Sequence, residues 1–351
     1  MSSNLKDIAK KLNISVSTVS RVVNNKQYVK PKTREMVVQA LNELNYRPNQ
    51  VARSLKNKIT RTIGIMVPDI SEDFFAYVIK GVDSVLSKNG YTIVLCDTGE
   101  NPEKEELYLN LLLEKQIDGV ILATVCKEHK TINKLIGYGV PIIFIDNLPK
   151  IKSNYDSVII DNSKASYIAT EHLINLGHKN IGIIVGKLDE TTGYERLIGY
   201  KKALEDNKID VDERLIRVGD FKEKSGHENM KSLLDSNDYL TALYVASSKM
   251  TYGAIKAIKE KGLKIPEDIS LVGFDIHDIS GLISPSITTI LQPEEHIGKV
   301  AAELMMKRLF EPDERLSQKI VLEPEILIRD SCGHTQRKNR NIRNTHSKLL
   351  T

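Results

Sequence analysis

The apolar positions of this chain change rhythm once, near residue 61. Before it they recur at helical spacing. Leu5, Ile8, Ala9 and Leu12 fall at i, i+3, i+4 and i+7, one stripe on a short first helix. Asn4 suits its N-cap, and Asp7 suits its positively polarised first turn. Asn13 then interrupts with a residue that tolerates the left-handed backbone of a sharp turn. Ser15 can cap a second helix whose Val19, Val22 and Val23 face inward. A third helix is predicted from Pro31, because proline at the first helical position forfeits no hydrogen bond. Met36, Val37, Ala40, Leu41 and Leu44 make its apolar face, and Tyr46-Arg47-Pro48 ends it. Segment 49–60, NQVARSLKNKIT, offers Val51 and Leu55 four apart but little other apolar surface. So short a helix should order only against a support and is otherwise a linker.

From Thr62 strands and helices alternate. Strands are predicted at 62–67, 91–97, 118–123, 141–146 and 157–162, with helices at 74–90, 102–115 and 129–139 between them. A second run places helices at 163–177, 194–207, 225–237 and 250–262 around strands at 180–186, 214–219, 242–247 and 268–275. Two such arrays imply two parallel-sheet lobes with helices on both faces. Residues 287–291, a helix over 294–310, and strands near 318–322 and 325–329 should cross between the lobes and complete both. The expected fold class is therefore α/β, an all-α headpiece followed by a two-lobed core with parallel sheets. The predicted boundaries are a headpiece over 1–48, a hinge helix and linker over 49–61, and a core over 62–332. Within the core, lobe 1 takes about 62–161 plus 291–323 and lobe 2 about 162–290 plus 324–332. The tail, 333–351, has almost no apolar periodicity and is expected to be disordered. Ligands bind at strand carboxyl ends in such sheets, so the cleft between lobes is the expected pocket.

Charge sharpens the picture where composition does not. The chain of 351 residues is 41% apolar and 27% charged, as a globular protein of two or three domains would be. Its net charge of +4 hides a division: residues 1–60 hold twelve Lys/Arg against Asp7, Glu35 and Glu43, a net +9. The tail adds +5 with no acid, leaving the body at −10. A basic head on an acidic body points to a polyanionic partner for the head. The first two helices form a helix-turn-helix, and the second is sized for a DNA major groove. Val16, Ser17, Thr18, Ser20 and Arg21 lie near or on its outer face, side chains able to meet base edges or phosphates. A helical hairpin that merely packs on something is the competing reading. No apolar run reaches the ~18 residues of a membrane span, and MSSNLKD lacks the apolar core of a signal peptide. Cys96, Cys126 and Cys332 fit neither a disulfide framework nor a zinc site, so a cytoplasmic protein with ordinary thiols is expected. There is no G-x-S-x-G, Gly-rich phosphate loop or H-E-x-x-H, and His172 and His178 read as structural. No enzyme, cofactor or metal site is expected.

The motifs DIAKKLNISVSTVSRVVN, YRPNQVARSLK, TIGIMVPDIS, EHLINLGHKNIGII, RLIGYKKAL and IPEDISLVGFD together resemble the LacI/GalR family of bacterial transcription regulators, across about residues 4–332. The resemblance implies a homodimer whose paired headpieces read a palindromic double-stranded operator, most often as a repressor. It also implies a periplasmic-binding-protein-like core that takes a small effector, usually a sugar or related metabolite. Carried onto this chain, Ser15, Val16, Ser17, Thr18, Ser20, Arg21 and Asn24 belong to the DNA-reading helix and its ends. Asn49, Ala52, Leu55 and Lys56 belong to the hinge, with Leu55 as an apolar wedge in the minor groove or as a packing contact between paired hinges. Phe74, Phe75, Asp146, Arg196, Ser247 and Asp275 become the effector-binding set. The phenylalanines could equally serve the core, and structural capping at strand ends is the competing reading for Asp146, Arg196 and Asp275. Where relatives often carry Asn-Asp, this chain has Ser247-Ser248-Lys249, and Asn147 follows Asp146 where many have Arg. Those changes suggest a less acidic floor, with Lys249 accepting an acidic or phosphorylated sugar. The same core also admits a purine corepressor or a protein partner. A transporter's solute-binding protein would fit the core but not the head.

Overall fold

The computed structural model describes residues 5–24, 28–44, 59–126, 130–151, 154–277, 284–311 and 316–333. It divides into two compact units, residues 1–60 and 61–351. The first holds helices α1 (Leu5–Leu12), α2 (Val16–Val23) and α3 (Pro31–Glu43). Asn13 takes φ +50° in the turn between α1 and α2, and the Ser15 hydroxyl accepts from the Thr18 amide to cap α2. Ile8, Ala9, Val19, Val22, Val37 and Ala40 are buried at the centre, with Leu5, Leu12, Ile14, Val23, Leu41 and Leu44 packed around them. Met36 does not join them. It is 44% exposed because Val37, its neighbour, takes the inward position on α3.

The second unit is the αβ alternation. Its first sheet contains β1 (Thr62–Val67), β2 (Thr92–Asp97), β3 (Gly119–Leu122), β4 (Ile142–Ile145), β5 (Asp156–Ile160) and β11 (Lys319–Leu322). They lie in the order β11-β5-β4-β3-β1-β2, all parallel. The second contains β6 (Ile181–Val185), β7 (Ile216–Val218), β8 (Ala242–Val245), β9 (Ser270–Phe274), β10 (Thr288–Leu291) and β12 (Glu325–Leu327). Its order, β12-β10-β9-β8-β6-β7, repeats the first, with β12 antiparallel to β10. Each strand of one lobe therefore has a counterpart in the other. The buried strands are Ile- and Val-rich runs, as sheets covered on both faces require.

Helices α4 (Asp73–Leu86), α5 (Pro102–Glu114) and α6 (Lys130–Gly137) belong to the first lobe. The second has α7 (Asn162–Asn175), α8 (Thr191–Asp206), α9 (Glu223–Ser236) and α10 (Ser248–Glu260). After β10 the chain returns to lobe 1 as α11 (Glu294–Phe310), packed on α4. Gly298 permits this approach, since a Cβ there would stand 2.0 Å from the Val78 carbonyl oxygen. Arg308 on α11 then grips Asp156 of β5 through Nε and Nη2 at 2.7 and 2.8 Å. Among the described residues three stretches of chain thus join the lobes, at 161–162, 291–294 and 322–325. Among the described residues no helix is long and apolar enough to cross a membrane.

Candidate functional site

On the headpiece, α2 presents Ser15, Val16, Ser17, Arg21 and Asn24 as exposed residues, with Thr18 and Ser20 half-buried. Val16 is apolar yet 41% exposed at the helix start. The ends of α2 are closed by its own side chains. Ser15 Oγ lies 2.8 Å from both Ser17 Oγ and Thr18 Oγ1, and Asn24 Nδ2 donates to the Ser20 carbonyl at 2.7 Å. Ser15 and Asn24 therefore hold the helix in shape as well as standing on its outer side. Asn49, Ala52, Leu55 and Lys56 lie outside the described residues.

In the second unit a cavity of about 630 Å³, its open mouth included, lies at the carboxyl ends of both sheets. Phe74, Phe75, Asp146, Arg196, Ser247 and Asp275 all line it. The topology explains the convergence: Asp146 ends β4, Asp275 ends its counterpart β9, and Ser247 follows β8. Both aspartates have left-handed backbones, at φ +60° and +50°. Glu100 after β2 and Phe221 after its counterpart β7 do the same, at +58° and +66°, and also line the cavity. Four non-glycine residues held in a disfavoured region around one hollow is the clustering that binding sites show.

The side chains are oriented by their neighbours. Arg196, 4% exposed, donates from Nε to Asn162 Oδ1 and from Nη1 to the Ala246 carbonyl, both at 2.8 Å. Its guanidinium lies 3.7 Å from the Phe274 ring centroid. Asp275 accepts from the Gln292 backbone amide at 3.1 Å and from its side-chain amide at 2.6 Å. Burial, then the charge of Glu294, lifts the Asp275 carboxyl to about 7. Burial also lifts Asp146 to about 6, against the pull of Arg196. Ser247 caps α10, accepting from the Met250 amide at 3.5 Å. Phe74 and Phe75 meet edge to face at 4.9 Å, belong to the buried core and also line the cavity. Phe221 sits on Gly186, where any Cβ would meet its ring at 1.9 Å.

Polar bonds bridge the lobes around the cavity. Lys249 Nζ reaches Asp69 Oδ2 at 2.6 Å and Ser71 Oγ at 2.8 Å, and Lys187 Nζ reaches Glu100 Oε2 at 2.8 Å. Asn147 donates to Glu190 Oε2 at 2.9 Å and accepts from the Thr191 and Thr192 hydroxyls, both at 3.1 Å. His277 Nε2 lies 2.8 Å from Glu294 Oε1, its pKa raised by that bond, and its ring is 5.1 Å from that of Tyr77. The lining is acidic on balance. Lys249 is bound to Asp69 and Ser71, and the lining carries Glu72, Glu100 and Glu190 besides the two aspartates. Glu72, Glu100, Glu190, Thr192, Phe221 and Gln292 line the cavity without having been foreseen, and Asn147, already singled out beside Asp146, lines it too. Glu190 and Thr192 escaped because α8 starts at Thr191, three residues before its apolar pattern begins.

A helix-turn-helix headpiece joined to two parallel-sheet lobes around a ligand-sized cleft defines a ligand-responsive DNA-binding regulator. Residues 4–49 match the family described as "Bacterial regulatory proteins, lacI family". Residues 60–329 match "Periplasmic binding proteins and sugar binding domain of LacI family". The chain belongs to the LacI family. It is 37% identical over 333 residues to the "HTH-type transcriptional repressor PurR" of Haemophilus influenzae (strain PittEE), covering 93% of this chain and 98% of that one. Among solved structures it is similar to the lac repressor dimer bound to operator and the anti-inducer ONPF, at 27% identity and TM-score 0.83, covering 95% and 100%. It is also similar to a complex of the transcriptional regulator CelR with cellobiose, at 31% identity and TM-score 0.73, covering 94% and 99%. The named relatives are regulators and repressors, not enzymes.

Proposed function

We propose that this LacI-family repressor binds a palindromic operator as a homodimer, in the cytoplasm, under the control of a small effector held between the lobes. The observation that carries the reading is the union, in one chain, of an exposed DNA-sized helix with a cavity walled by oriented polar groups. Val16 and Ser17 would set base preference, while Thr18, Ser20, Arg21 and Asn24 would hold phosphates or neighbouring bases. In the hinge, Asn49, Ala52 and Lys56 would flank Leu55, the wedge that opens the minor groove at the operator centre. Dimerisation is supported by apolar residues left exposed on lobe 1: Leu95 on edge strand β2, and Leu107 and Leu111 one turn apart on α5.

The effector reading is a sugar or sugar derivative, for which Asp146, Arg196, Ser247 and Asp275 supply hydroxyl partners and Phe74 and Phe75 an apolar wall. A purine corepressor is the second reading, favoured by the relative named PurR. A thermal-shift screen against sugars, sugar acids, sugar phosphates and purines separates them, because a ligand that binds only the folded state raises the melting temperature. The hit is then added to an operator-binding assay. Released DNA marks an inducer and tightened DNA a corepressor. Silence across the panel would remove the small-effector reading in favour of a protein partner.

A further inference from the structure

Acids outnumber bases in the cavity lining. Among the described residues its lining has five carboxyl groups, Glu72, Glu100, Asp146, Glu190 and Asp275, and one cation, Arg196. Three of the acids have protein partners: Glu100 has Lys187, Glu190 has Asn147 and Lys187, and Asp275 has Gln292. Glu72 and Asp146, both of lobe 1, have no side-chain hydrogen bond to any described residue. Burial holds the first at about 7, with the negative charge of Asp146 adding to the rise, and the second at about 6. Lys249, the nearby cation facing Glu72, is bound to Asp69 and Ser71.

We propose that the effector presents a nitrogen donor, an amine or amino group, to Glu72 and Asp146, and carries no anionic substituent. This rests on the reading of the cavity as the effector site. Two half-buried carboxyls that line the cavity without a hydrogen-bonding side chain among the described residues are satisfied by a donor, best by one bringing positive charge. An anion entering the same hollow would be desolvated among five acids with a single arginine already held by Asn162 and Ala246. Phe74, Phe75 and Phe221 form apolar walls for the rest of the molecule.

The test uses matched ligands on two scaffolds, titrated by calorimetry into the full chain. The sugar set is glucose, glucosamine and glucose 6-phosphate; the purine set is hypoxanthine, adenine and purine-6-carboxylate. On the scaffold that binds, the amino member should bind about tenfold or more tighter than the anionic one, the scale of a charge-assisted bond. Glu72→Gln and Asp146→Asn should each pull the amino-to-neutral ratio towards one. Two variants are used because either alone could misfold, and asparagine tolerates the left-handed backbone at 146. An anionic ligand binding as tightly as the amino one, or an unchanged ratio in both variants, overturns the proposal. Failure of every member on both scaffolds instead removes the effector-site reading, and this inference with it.

Discussion

Single residues carry the chemistry of both units, and their physics makes checkable statements. Asp275 has its carboxyl raised by burial, and secondly by Glu294, from 3.8 to about 7. Between those values the folded chain holds a proton that the unfolded chain has released. Its contribution to stability is therefore present below pH 3.8 and is lost as pH rises through about 7. Asp275→Asn cannot ionise and keeps a residue that tolerates φ > 0. Its melting temperature relative to the parent should climb from pH 5 to pH 8, and a flat difference would show that Asp275 ionises freely. The same variant should lose its response to effector while still binding operator. On the headpiece, Arg21→Ala should weaken operator binding and flatten its dependence on salt by about one phosphate contact, read from binding isotherms at several salt concentrations. Unchanged affinity would move Arg21 off the DNA face.

At the scale of elements, much of the fold was legible because periodicity is a local signal. The helix over 294–310 was foreseen at the limits it has, Glu294–Phe310, since its apolar spacing, acidic first turn and basic last turn lie within its own sequence. The Ser15 cap and the Asn13 turn were legible for the same reason. What was not legible depends on partners distant in sequence. Met36 and Val37 are both apolar on α3, and only the packing of α1 and α2 decides which turns inward. Of the site, the residues at strand ends could be read and those on crossover loops could not. Glu100 and Phe221 reach the cavity through left-handed turns that their residue types do not announce. Lys249 was seen as chemistry but not as a bridge, because its partners stand 180 and 178 positions away. That bridge yields its own prediction. The Lys249–Asp69 pair is partly exposed, so it should add no more than about 1 kcal/mol to lobe closure. Lys249→Ala should then weaken effector binding by at most a few-fold, and the deficit should shrink in high salt. A larger loss that ignores salt would mean that Lys249 touches the ligand itself.

For the molecule as a whole, two units of different size share one chain, and their stabilities should differ accordingly. Among the described residues the headpiece core is six buried residues on three short helices, while the second unit has three extensive clusters. Ile8 is fully buried at the centre of the small core. Truncating it to alanine should cost about 2–5 kcal/mol, as large-to-small core changes do. A domain of this size has little more than that in reserve. Ile8→Ala should therefore unfold the headpiece and abolish operator binding. The lobes should keep their melting transition and their ligand, because their core is built from other residues. Calorimetry of the full chain would show the smaller, earlier transition vanish while the larger remains. A simultaneous collapse of both transitions would mean that the two units fold as one cooperative body, and that the headpiece is not an independently folding module.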